Sequence, residues 1–188
     1  MTYLFPDASE DFGLGWLVAF VDGEGSFCAS VDSPRKTKKG YLRKSEIRPS
    51  LSISQNEKQI LCTIRDFFRC GTVRLSSVED AKAGDENAKN LSYKYETRGL
   101  EDLLTIIIPF FEKHQPRVKV RKQAFERFVV LCRRMEKKEH LQEQGFKELS
   151  NLAREINNMQ NPEKKRKPKA KKSSLDKESL SDQVKYRL

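Results

Sequence analysis

Apolar residues along the first two thirds of the chain alternate between two spacings, one helical and one of period two. Leu14, Leu17, Val18, Phe20 and Val21 make the stretch from Phe12 to about Asp22 apolar around most of its circumference. That pattern predicts a helix buried on more than one side, with Asp11 placed to cap it and Gly23 and Gly25 to end it. Phe27, Ala29 and Val31 then alternate with Cys28, Ser30 and Asp32, and Ile47, Leu51 and Ile53 alternate with Glu46, Arg48, Ser50, Ser52 and Ser54. Each run predicts a strand with one apolar and one polar face, and the segment Pro34 to Lys44 joins them as a basic loop. Helical spacing returns at Ile60, Leu61, Ile64, Phe67 and Phe68, with Asn56 able to cap the helix and Gly71 to close it. A second strand pair follows, Thr72 to Ser76 and Leu91 to Thr97, joined by a polar loop around Gly84. Further helices are predicted over about Leu100 to Glu112, with Pro109 near its end, over Lys119 to Met135 and over Gln144 to Met159. The order is α+β, helix–hairpin–helix–hairpin–helix (αββαββα) followed by C-terminal helices. Helices on one face of the sheet leave its other, polar face available.

Composition divides the chain in two. Of 188 residues, 37% are hydrophobic and 34% charged, and the formal net charge is +10. From Asn161 to Leu188 ten Lys/Arg stand against four Asp/Glu, so the last 28 residues carry +6 of that charge. The expectation is a folded domain over 1–160 and a basic, disordered tail over 161–188. A basic body with a more basic tail points to a polyanionic partner. The four cysteines, Cys28, Cys62, Cys70 and Cys132, form no CxxC pair and have only His114 and His140 for company. That is too sparse for a zinc site or a secreted disulfide framework, so four reduced thiols in an intracellular protein are expected, with Cys62 and Cys132 in the core. No apolar run is long enough to span a membrane, so none is expected as a partner. The first dozen residues hold Asp7, Glu10 and Asp11 with no Lys or Arg, the wrong chemistry for a signal or transit peptide.

The candidate chemistry lies in Leu17-Val18-Ala19-Phe20-Val21-Asp22-Gly23-Glu24-Gly25. This is an apolar helix ending in two carboxylates separated by glycines that remove side-chain bulk. A carboxylate brought to a phosphodiester needs a cation between the like charges, and hard oxygen ligands favour Mg²⁺ (or Mn²⁺). Such an ion lowers the pKa of a bound water and neutralises developing negative charge. Taken alone, Asp-Gly-Glu-Gly after a helix reads more readily as a helix end with two solvated acids than as a metal site.

The nine positions Leu17 to Gly25 resemble the LAGLIDADG motif, and the element order over Asp11 to Glu112, with a basic segment after Pro116, resembles the single-motif LAGLIDADG homing endonucleases of organellar group I introns. That resemblance implies a metal-dependent enzyme cutting both strands of double-stranded DNA at a long pseudo-palindromic site. It implies Glu24 as the metal ligand of the active site and Asp22 as a supporting residue at the helix end. It also implies a homodimer in which Leu17, Val18, Ala19, Val21 and Asp22 belong to the helix that meets its counterpart. One motif gives one Glu24 per chain, so paired cuts need two copies. Gln55, at the end of the second strand, falls where relatives hold a Gln near the attacking water. Arg121, then Lys119, are the candidates for the cation near the scissile phosphate. An organellar setting, chloroplast or mitochondrion, fits the same resemblance.

If DNA lies on the polar sheet face, bases in the major groove would be read by Ser30, Asp32, Arg48, Ser50 and Ser52 and by Arg74, Ser76, Lys94 and Glu96. Arg35, Lys36, Lys38, Lys39, Arg43 and Lys44 in the loop, with the tail from Lys164, would add phosphate contacts that carry no sequence information. Two rival readings share most of these features. One is a LAGLIDADG protein that does not cut, acting as an RNA maturase or a DNA-binding regulator. The other is a general nucleic-acid-binding module without chemistry.

Overall fold

The computed structural model describes residues 10–36, 40–79 and 90–160. The expected basic tail, 161–188, lies outside the described residues, as do Lys38, Lys39 and the loop around Gly84. The period-two stretches pair into one antiparallel sheet. Its strands are β1 (Gly25–Asp32), β4 (Glu46–Gln55), β6 (Asn90–Thr97) and β5 (Thr72–Glu79), in that order across the sheet. The loop between β1 and β4 is itself a small ribbon, β2 (Arg35–Lys36) against β3 (Leu42–Arg43), every residue of it exposed. Pro49 cannot donate to a ladder; it falls opposite Ala29, before β4 begins to pair with β6 at Leu51.

The helices lie against the apolar sheet face. They are α1 (Glu10–Glu24), α2 (Lys58–Phe68), α3 (Leu100–Asp102), α4 (Ile108–Lys113), α5 (Lys119–Glu136) and α6 (Glu143–Gln160). Phe27 of β1 is the keystone of the core. Its ring centroid lies 5.2 Å from Phe111, 5.0 Å from Phe125 and 5.6 Å from Phe128, which joins the first strand to α4 and α5. Removing a ring so enclosed costs about 3–5 kcal/mol. The outer edge of β1 is covered by two side-chain amides of α6 that act as a strand would. Asn157 accepts from Ala29 N–H at 3.2 Å and donates to Ala29 C=O at 2.8 Å. Gln160, one turn on, accepts from Phe27 N–H at 3.3 Å and donates to Phe27 C=O. An exposed strand edge is thereby satisfied.

Several local expectations are corrected. Asp11 lies inside α1 and does not cap it, and Gly23 is helical, so that α1 runs on to Glu24. Asn56 does not cap α2; Glu57 stands at that position, and Asn56 N–H is taken by Gln55 Oε1 at 2.8 Å. Arg69 closes α2 in the left-handed conformation (φ 54°), with Gly71 (φ 78°) behind it. Cys62 is only half-buried, whereas Cys70 and Cys132 are buried; all four cysteines are free thiols. The helix expected over about Leu100 to Glu112 is present with Pro109 near its end, and a π turn, Leu103–Ile107, which was not expected, links α3 to α4 just before the proline. A proline ring crowds the carbonyl four residues back, and one wider turn relieves the crowding. No helix among the described residues is long and apolar enough to cross a membrane.

Candidate active site

The end of α1 is built by the Asp-Gly-Glu-Gly sequence itself. A Cβ on Gly25 would stand 2.6 Å from the Val21 carbonyl oxygen, so only glycine lets the chain turn from helix into strand there. Asp22 points inward and is 9% exposed. Its Oδ2 accepts the backbone N–H groups of Arg117 (2.7 Å) and Val118 (3.2 Å), so it holds the two residues that lead into α5 from 95 residues away. Its other oxygen, Oδ1, is buried and has no partner among the described residues. Asp22 therefore ties the motif helix to the basic segment and is not a surface acid.

Arg121 completes this junction. Its Nε donates to the Asp22 carbonyl at 3.2 Å and its Nη1 to Gln160 Oε1 at 2.8 Å. Burial pulls its pKa below the ordinary arginine value, opposed by the negative charges of Asp22 and Glu24. A half-buried cation is thus fixed within electrostatic reach of the exposed Glu24 carboxylate. Gln160, which sequence reading missed, receives Ser26 Oγ (3.4 Å), Phe27 N–H and Arg121 on a single oxygen. A polar residue near the end of a predicted helix gave no signal of this, because the contacts span 39 and 133–134 residues. Gln55 ends β4 just beyond the Gly25–Ile53 pair, so the register brings it beside the end of α1, with its side chain folded onto Asn56. Lys119, in the first turn of α5, is exposed.

The face that α1 offers to solvent differs from the expected one. Leu17 and Val21 are fully enclosed in the chain's own core, and Val18 is 7% exposed, so these three cannot be the surface that meets another molecule. Ala19 is exposed, with Gly15 four residues before it and Gly23 four residues after. A Cβ added at Gly15 or at Gly23 would meet nothing within 4 Å among the described residues, so no contact among them requires glycine at either position. A small-residue stripe of this kind permits two helices to approach closely.

On the polar sheet face the structure sorts the predicted readers. Ser30, Arg74 and Ser76 are exposed; Arg48, Asp32 and Lys94 are partly so. Ser50 and Ser52 are buried at 6% and 8%, opposite Cys28 and Glu96, and Glu96 is buried too; these three are corrected as direct contacts. Asp32 is ion-paired with Arg48. Ser76 sits where the β5–β6 register slips between Leu75 and Ser77, a bulge that interrupts the alternation. Arg35, Lys36, Arg43 and Lys44 are exposed on or beside the ribbon. Arg98, absent from the sequence reading, joins the face by pairing with Glu96 at 2.8 Å.

The donor set fits a hard divalent cation in kind, since Glu24 offers exposed carboxylate oxygens at the end of the helix. It is incomplete in number. Among the described residues of one chain, no three His, Cys, Asp or Glu side chains come together to hold a metal. A second copy and a phosphate would have to supply the rest.

Comparison with known proteins bears on this geometry. A family model described as LAGLIDADG endonuclease matches residues 17–130. The chain is similar to the archaeal intron-encoded homing endonuclease I-Vdi141I, solved in complex with DNA, at 28% identity and a TM-score of 0.63, over 80% of this chain and 86% of that one. It is similar to the homing endonuclease I-TnaI at 32% identity and a TM-score of 0.61, over 77% and 87%. A third likeness, at 26% identity and a TM-score of 0.62, is to I-SmaMI bound to its uncleaved DNA target with calcium ions. It covers 77% of this chain but 44% of that one. No curated protein matches.

Proposed function

This chain belongs to the LAGLIDADG endonuclease family, enzymes that cut DNA, and from that premise we propose that it hydrolyses both strands of double-stranded DNA at one long, roughly palindromic site, as a symmetric homodimer dependent on Mg²⁺ or Mn²⁺. The observation that carries the reading is the position of Glu24. It is exposed at the end of a helix face where a Cβ on either glycine would meet nothing among the described residues. A second copy laid on Gly15, Ala19 and Gly23 would bring two Glu24 carboxylates together, as a two-fold axis requires. The relatives solved with DNA support the same partner.

Glu24 of each copy would hold the cation, which, when bound, supplies an activated water and neutralises charge on the phosphate. Arg121 is fixed by Asp22 and Gln160 and so can stabilise the extra negative charge of the attacked phosphate without reorganising. Gln55, which the sheet register puts beside the end of α1, would orient the attacking water once released from Asn56, and the exposed Lys119 would hold the scissile phosphate. The polar sheet face reads bases, and the basic ribbon of Arg35, Lys36, Arg43 and Lys44 holds the backbone. Likeness to an intron-encoded enzyme supports the same genetic origin here. An organellar host is a proposal of the same kind, settled by mapping the gene.

The test is cleavage of a randomised duplex library by the purified protein with Mg²⁺, beside an EDTA control, with the stoichiometry on the selected site measured. One long two-fold site, bound by two chains and cut on both strands only with metal, is the expected result. Binding without cutting, or a preference for RNA, would overturn it.

A further inference from the structure

We propose that Glu96 is a specificity-determining positioning residue. Its buried carboxylate would hold Arg74, Lys94 and Arg98 in the poses from which they read guanine, without itself touching a base. The proposal rests on the polar sheet face being the DNA-reading surface. Glu96 is 7% exposed in the middle of that face, too deep to reach a base edge. Both its oxygens are engaged: Lys94 Nζ lies 3.0 Å from Oε1, and Arg74 and Arg98 lie 3.2 and 2.8 Å from Oε2. The two arginines are half exposed, so each has one end on the carboxylate and donors left for solvent or DNA.

The strand register explains why a carboxylate is needed. Arg74 and Lys94 are directly opposite each other on β5 and β6, and like charges so placed repel. Glu96, two residues along from Lys94, neutralises one charge of the three. Burial works against its ionisation, but hydrogen bonds from Lys94, then Arg74 and Arg98, outweigh burial and hold its carboxyl below the usual range. Three cations around one anion leave a net +2, enough to attract a polyanion and ordered enough to discriminate. A guanidinium held in one orientation reads the O6 and N7 of guanine, whereas a free one spreads over phosphates.

The experiment compares the wild-type protein with Glu96→Gln, which keeps the shape and removes the charge, and with Glu96→Asp, which keeps the charge and shortens the reach. Binding to the selected site, to every single-base variant of it and to an unrelated duplex is measured at two salt concentrations. The expected result for Glu96→Gln is a loss of roughly tenfold or more in discrimination at the guanines facing β5 and β6. The positions facing β1 should keep their preferences. Affinity for the unrelated duplex should rise and its salt dependence steepen, because freed cations neutralise phosphates. Glu96→Asp should lose discrimination with the salt dependence unchanged. A loss confined to one cytosine would make Glu96 a direct base contact and overturn the proposal. A uniform loss at every position, with a lower melting temperature, would make its role structural and overturn it too. If Arg74→Ala and Lys94→Ala leave every base preference intact, the fault lies in the reading of the sheet as the DNA surface.

Discussion

Gly23 separates two explanations of the motif helix, because the two predict opposite signs. Replacing Gly23 by Ala adds one methyl group to a helical residue on a surface where that methyl would meet nothing within 4 Å among the described residues. Within one chain the change should help: alanine is favoured over glycine in a helix by about 0.5–1 kcal/mol. For a chain of this size that raises the melting temperature by roughly 2–4 °C per kcal/mol. Between two chains the same methyl is an intrusion. A tightly packed contact loses about 1–3 kcal/mol for each added group, and two-fold symmetry counts it twice, giving about 2–6 kcal/mol. The dimer dissociation constant should therefore weaken by about thirtyfold or more. Sedimentation over a dilution series measures the association. Thermal melting at concentrations where both proteins are monomeric measures the fold. The expected pair is a more stable monomer and a weaker dimer. Unchanged association would refute the stripe as the interface, and a less stable monomer would refute the claim that the space beside Gly23 is open.

Three further outcomes follow from the junction and the sheet. Asp22→Ala leaves the two backbone donors just ahead of α5 without their acceptor and should cost about 1–3 kcal/mol, read by urea denaturation; an unchanged midpoint would sink this anchoring role. Gln160→Ala should slow single-turnover cleavage while leaving DNA affinity unchanged. In a double-mutant cycle with Arg121→Ala its effect should fail to add by more than about 0.5 kcal/mol, and simple additivity would contradict the link. Because the pKa of Glu96 is depressed in the native state, its stabilisation is present above the unfolded glutamate range and is lost as pH falls through the lower native value. Wild-type stability should therefore fall more steeply with acid than that of Glu96→Gln, and parallel curves would contradict it.

Much of this molecule was legible because its signals are local. Period-two alternation marked the first two strands, and apolar stripes at helical spacing marked the helices, since a strand or helix with one apolar face must bury it. The nine residues from Leu17 to Gly25 pointed to the candidate site through their resemblance to a family motif, while Gly25 by itself defines only the turn from helix to strand. What stayed hidden depends on contacts distant in sequence. The apolar Leu17 and Val21 gave no sign of which side of α1 meets the chain's own core. Glu96 read as an exposed polar residue because nothing in its neighbours showed that Arg74, 22 residues away, would share its carboxylate. Gln160 was invisible because a glutamine near a helix end has no special pattern until a strand edge is laid against it. The π turn ahead of Pro109 was hidden too: the apolar spacing marked a helix through the proline, with Ile108 and Phe111 on either side buried, but not the wider turn inside it.

The most direct test of the account is the behaviour of Glu24→Gln on the selected site. The substitution leaves the shape of the helix end and removes the exposed carboxylate proposed to hold the metal. With Mg²⁺ present, the account predicts that the variant binds the site within a few-fold of wild type and does not detectably cut either strand. Cutting at a rate comparable to wild type would show that the chemistry lies elsewhere in the chain.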